Sequence, residues 1–169
     1  MFSSWRLFTP PYTYHQRLYF IIKDTTRNDN TDTLEVLEPL AKQKRASAPF
    51  NQKESNIDHL VNNNASGLLR TVWEYKKIPG EAFPSSSDAT YISSTIASVK
   101  NSRNYQLYLA TLYNYCKLVL KEHHISESGK VVKIIIRKKM IRPFKDINDL
   151  NDKQPEILVF ENAFTTLKP

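Results

Sequence analysis

Apolar residues recur at helical spacing in two long segments of the chain. Over 55–77 they fall mainly at i, i+3 and i+4 positions, which predicts an amphipathic helix. A shorter helix with the same spacing is expected at about 88–100. Over 103–123, apolar side chains cover most of the helix circumference. Such a helix must be covered on more than one side, so it is either the central core helix or has one face bound to another protein.

Three shorter apolar runs predict β-strands. Residues 18–22 are apolar at consecutive positions, as in a strand buried on both faces. Residues 131–137 alternate, so that one face is expected to be buried and the other to be mixed and basic. Residues 157–160 form the third run. The predicted fold class is α+β, a three-helix core with a small antiparallel sheet of one N-terminal strand and two C-terminal strands.

These patterns divide the chain into four segments. Residues 1–23 are interpreted as an N-terminal arm and the first strand, and the mostly polar residues 24–55 as a linker or long loop. A short helix that ends near Pro39 is the element expected inside that loop. Residues 56–162 then form the helical core with the C-terminal strands, and residues 163–169 form a tail.

Composition argues against several kinds of site. Cys116 is the only cysteine among 169 residues, so the chain has no internal disulfide and lacks the two cysteines that the usual structural zinc sites need. Gly67, Gly80 and Gly129 lie too far apart to form a phosphate-binding loop or a dinucleotide fingerprint. The longest apolar run, 18–22, is far shorter than a membrane helix. We therefore expect no cofactor, no metal and no membrane span.

The positive charge is concentrated in one window. The chain carries a net charge of +7, and residues 130–145 hold many basic residues and no acidic one. Basic side chains on a strand and its loop suit a polyanion such as RNA or DNA, although lysines also protect strand edges from aggregation. The candidate polyanion-binding residues are Lys130, Lys133, Arg137, Lys138, Lys139, Arg142 and Lys145. Three helices followed by two strands is also similar to the element order of a winged helix, although the third helix lacks a basic face.

No catalytic set can be nominated. Cys116 and His123 lie two helical turns apart, roughly 10–11 Å, which is too far for a cysteine–histidine dyad. Asp146, Asp149 and Asp152 lie in a polar loop without the spacing or the glycine of a calcium site. We therefore expect a protein that is not an enzyme.

The leading hypothesis is a non-catalytic subunit or assembly factor of a larger intracellular complex, with other protein subunits as partners. Its protein-interface candidates are Tyr105, Tyr108, Leu112 and Tyr115, because tyrosine is enriched among interface anchors. The alternative is a nucleic-acid-binding module that uses residues 130–145. A nuclear or cytoplasmic location is favoured, and the transit-peptide-like composition of residues 1–23 keeps a mitochondrial location as the alternative.

Overall fold

Three helices and five strands form the regular structure of the described part of the chain. The computed structural model describes residues 14–26, 31–74, 97, 99–141 and 155–167. In chain order the elements are β1 Tyr14–Asp24, β2 Thr31–Glu35, α1 Leu37–Ala46, α2 Gln52–Glu74, α3 Arg103–Glu122, β3 Lys130–Met140, β4 Glu156–Glu161 and β5 Thr165–Thr166. None of these helices has the length and apolar composition needed to cross a membrane.

The strands form one antiparallel sheet in which β3 is central. β3 pairs with β1 along its whole length, from Met140 opposite Tyr14 to Lys130 opposite Asp24. β2 pairs with the other edge of β1, while β4 and β5 both pair with β3. The register between β3 and β4 shifts between Ile136 and Arg137.

The helices cover one face of this sheet. The buried residues of β1 and β3 are all even-numbered and point towards the helices; they are Leu18, Phe20, Ile22, Val132, Ile134 and Ile136. Val61, Leu68 and Val72 of α2 meet them from one side, and Leu112, Cys116 and Leu120 of α3 complete the same core. The alternation predicted for residues 131–137 is therefore confirmed.

The predicted sheet of one N-terminal and two C-terminal strands is wrong. The structure has two N-terminal strands, because β2 pairs with β1 from Tyr19 to Lys23, and three C-terminal strands, because β5 pairs with Val131 and Val132. β2 is a polar edge strand held by backbone pairing, and β5 has only two residues. Neither strand carries enough apolar alternation to reveal itself in the sequence.

The segment interpreted as a linker, residues 24–55, contains both β2 and α1. Pro39 lies in the first turn of α1 and does not end it, because the first N–H groups of a helix have no intrahelical acceptor. The Glu35 carboxylate accepts a hydrogen bond of 3.1 Å from the Glu38 N–H in that turn. β5 likewise lies within the predicted tail.

The three predicted helices have different outcomes. α2 and α3 correspond to the helices expected over 55–77 and 103–123. The helix expected at about 88–100 lies mostly outside the described residues, although residues 97 and 99 are helical and Val99 is fully buried.

Candidate protein-interaction surface

The interface candidates on α3 lie in the core. Tyr105 is 4% exposed and Leu112 is 0% exposed, while Tyr108 and Tyr115 pack against the same cluster. The ring of Tyr115 lies 6.4 Å from that of Phe20 on β1. Burial raises the pKa of Tyr105 and Tyr115 to about 12. The tyrosine-bearing face of α3 therefore fits the interpretation of this helix as the central core helix.

Two large apolar residues of α3 remain exposed, and they are far apart along the helix. Leu107 and Leu118 are each 58% exposed on the side of α3 away from the sheet. Asn114, between them in sequence, is also exposed. They interrupt a polar surface and do not form a continuous apolar patch.

A second surface, made of half-buried residues, lies on the face of the sheet opposite the helices. We call it the outer face; it is formed by the odd-numbered residues of β1 and β3 and their neighbours on β2 and β4, facing away from the helices. Its apolar residues are Tyr19, Ile21, Val131, Ile135 and Leu158, all only partly exposed. They are separate from the half-buried residues that pack against the core.

Charged side chains of both signs surround this apolar centre. Arg17 lies 3.4 Å from Glu35, Lys133 lies 3.5 Å from Glu161, and Arg137 lies 3.8 Å from Glu156. Each of these ion pairs joins neighbouring strands across the outer face. Each of these three cations therefore already has a carboxylate partner.

Tyr19 occupies a fixed position within the outer face. Its hydroxyl donates to the Glu156 carboxylate at 2.9 Å, and the guanidinium of Arg137 lies 5.7 Å from its ring centre. Burial and the hydrogen bond to Glu156 raise the pKa of Tyr19 to about 12, so the phenol stays protonated at neutral pH. A rigid aromatic residue of this kind is typical of interface anchors.

The basic segment is divided between the two faces of β3. Lys133, Arg137 and Lys139 lie on the outer face, and Lys138 points to the helix side, where its ammonium lies 4.2 Å from the centre of the Tyr14 ring. Lys130 forms an ion pair with Asp24 at the far end of the strand. This contact and hydrogen bonds from Thr26 hold the pKa of Asp24 well below its ordinary value. Arg142 and Lys145 lie outside the described residues.

The described side chains considered for catalysis lie on α3 and at its C-terminal end. Cys116 is completely buried, and burial raises the pKa of its thiol to about 12. His123 and His124 are exposed at the C-terminal end of α3. Across the described ranges, no group of three or more His, Cys, Asp or Glu side chains is arranged to hold a metal ion. Asp146, Asp149 and Asp152 lie outside those ranges.

A charged cavity of about 440 Å³ lies beside the half of β1 that β2 does not pair. α1 and α2 form its other walls, and its described charged lining includes Arg17, Glu38, Arg45 and Asp58. Arg17 forms an ion pair with Glu38, and Lys44 contacts Asp58 at 3.0 Å. Much of the charge is therefore used in holding α1 against the sheet and α2. The sequence did not indicate this cavity, because the short helix expected to end near Pro39 continues to Ala46 and carries Ala41 and Arg45 of the lining.

No family model matches the chain, and neither a curated protein nor a solved structure matches it.

Proposed function

We propose that the protein is a non-catalytic subunit or assembly factor of a larger complex, and that it binds its protein partner through the outer face of the sheet. The observation that carries this proposal is a half-buried apolar centre beside a fixed tyrosine, on the face that the described helices leave uncovered. Apolar and aromatic residues at the centre with charged residues around them is the usual anatomy of a protein interface.

The paired charges of the outer face favour a protein partner over a polyanion. A polyanion would have to displace Glu35, Glu156 and Glu161 from the cations that they contact or bind beside them. A protein surface can present both signs of charge and keep such pairs satisfied. The tyrosine face of α3 is not part of this proposal, because its residues are used in the core.

A nucleic-acid-binding module remains the second candidate. It is supported by the basic residues of β3, among which Lys139 lies on the outer face and Lys138 on the helix side. This candidate predicts an affinity that falls steeply with salt and depends on these side chains.

One experiment separates the two candidates. The tagged full-length protein is purified from its native cells with and without nuclease, and the bound proteins are identified by mass spectrometry. We expect a stoichiometric set of proteins that survives nuclease. Ile135→Glu places a charge at the centre of the outer face and is expected to remove that set.

Leu118→Glu is the matched control, because it introduces the same charge at a 58% exposed leucine on α3. It should retain the partners, and circular dichroism should show both variants folded. Partners that disappear after nuclease treatment would favour the nucleic-acid candidate. Partners retained by folded Ile135→Glu would show that the outer face is not the binding surface.

A further inference from the structure

A cleft of about 300 Å³ lies at one end of the sheet, on the helix side. The buried core stops at Leu18 and Ile136, and the next facing pair towards the end of the strands is Gln16 and Lys138. α2 passes above this pair. The described residues that line the cleft are Tyr14, Gln16, Ser66, Leu69, Arg70 and Lys138.

This lining is rich in hydrogen-bond donors and cations. Arg70 and Lys138 bring positive charge from opposite walls, and Tyr14 and Ser66 bring hydroxyl groups. None of the described lining residues is acidic. The ammonium of Lys138 lies 4.2 Å from the centre of the ring of Tyr14, which also lines the cleft. The lining of the cavity beside α1, in contrast, includes the carboxylates of Glu38 and Asp58.

Gln16 adds a donor that lacks an acceptor. Its Oε1 accepts a hydrogen bond of 3.3 Å from the Ser66 hydroxyl. Its Nε2 is buried and has no hydrogen-bond partner among the described residues. A buried N–H group without an acceptor destabilises the protein until a ligand or water supplies one. Gln16 lines both this cleft and the cavity beside α1, so the missing acceptor belongs to one of these two spaces.

We propose that this cleft binds a phosphate group. Arg70 and Lys138 would contact its oxygens with charge-assisted hydrogen bonds, and Gln16 Nε2 would supply a further donor. The volume is sufficient for a phosphate with a small ester substituent, which Leu69 and Tyr14 would contact. This inference goes beyond the proposed function, because the cleft is on the helix side of the sheet and needs no protein partner.

The test measures binding of inorganic phosphate to the full chain by titration calorimetry and by thermal unfolding, at constant ionic strength against chloride. Phosphate should raise the unfolding temperature of the unmodified protein more than chloride does. Arg70→Gln and Lys138→Gln should each bind phosphate about tenfold more weakly, the loss typical of one charge-assisted hydrogen bond.

Lys53→Gln is the control. It removes the same charge at an exposed position in the first turn of α2, at the opposite end of this helix from Arg70 and outside the lining of the cleft, so phosphate binding should be unchanged. Gln16→Leu should also weaken phosphate binding, because it removes the Nε2 donor. Equal effects of phosphate and chloride would overturn the proposal, as would cleft variants that bind phosphate like the unmodified protein.

The same titration identifies the source of the phosphate group. Glycerol phosphate and a short single-stranded oligonucleotide are added as competitors. Stronger competition by glycerol phosphate would indicate a phosphate monoester, stronger competition by the oligonucleotide would indicate a nucleic-acid backbone, and no competition by either would indicate free phosphate. Each of these outcomes requires the cleft and leaves the proposed protein partner to its own test.

Discussion

At the scale of single residues, the side chain of Asn162 bonds to the edge of β3 at a position where neither β4 nor β5 pairs with it. Its side-chain Oδ1 accepts a hydrogen bond of 2.7 Å from the Ile134 N–H, between the stretches of β3 that pair with β4 and with β5. Its Nδ2 donates to the hydroxyl of Tyr113 on α3. One amide therefore connects the sheet to the central helix.

We expect Asn162→Ala to lower the free energy of unfolding by about 1–3 kcal/mol, because the Ile134 N–H would lose its acceptor in a buried position. Denaturant unfolding measures this change. Asn63→Ala, at an exposed position of α2, should change stability by only about 0.5 kcal/mol. Equal effects of the two substitutions would contradict the bridging role of Asn162.

Glu38 makes the stability depend on pH. Hydrogen bonds from Arg17 and Lys42 lower its pKa from 4.5 to about 2. The pKa of Glu38 is lower in the folded protein than in the unfolded one. Its contacts with Arg17 and Lys42 therefore add to the free energy of unfolding above pH 4.5, and this contribution is lost as the pH falls towards about 2. The carboxylate is 42% exposed, so solvent keeps the effect modest.

Glu38→Gln should therefore flatten the dependence of the unfolding temperature on pH in this acidic range. Glu122→Gln, at an exposed position at the end of α3, is the control and should keep the slope of the unmodified protein. An unchanged slope in Glu38→Gln would show that its ion pairs contribute nothing to folding.

At the scale of elements, α2 and α3 approach closely at Gly67. A Cβ atom at this position would lie 2.5–2.9 Å from ring atoms of Tyr108. Gly67→Ala should therefore destabilise the protein, because the ring must move to make room. In a Tyr108→Ala background the same change should stabilise by up to about 1 kcal/mol, since alanine favours the helix more than glycine does. Thermal unfolding of the four proteins measures the difference, and identical effects in both backgrounds would exclude this contact.

How well each helix or strand could be predicted from the sequence depended on which interactions stabilise it. α2, α3 and β3 bury apolar residues at regular spacing, and this spacing is visible in the sequence. β2 is held by backbone hydrogen bonds to β1, and only Leu34 links it to the core, so no pattern distinguishes it from a polar loop. Pro39 led to the wrong prediction of a helix end. Whether a proline ends a helix depends on its position within that helix, and the sequence alone does not give this position.

At the scale of the whole molecule, which side chains meet on the outer face depends on the register between the strands. The alternation of β3 correctly indicated a mixed basic face. The carboxylates that contact Lys133 and Arg137 come from β4, and their positions depend on how β4 pairs with β3. The cleft at Gln16 likewise requires residues of α2 that are 50 positions away in the case of Ser66. Contacts of this range cannot be obtained from local periodicity.

The pairing of β1 with β3 also has a consequence for synthesis on the ribosome. Asp24 and Lys130, neighbours at one end of this ladder, are 106 residues apart in the chain. β1 therefore emerges long before its partner strand, at ribosomal rates of about 5–20 residues per second. During that delay its apolar residues and one backbone edge are open to wrong pairing. The sheet can therefore form in full only after β3 has left the ribosome, and until then nascent β1 is exposed to such wrong pairing.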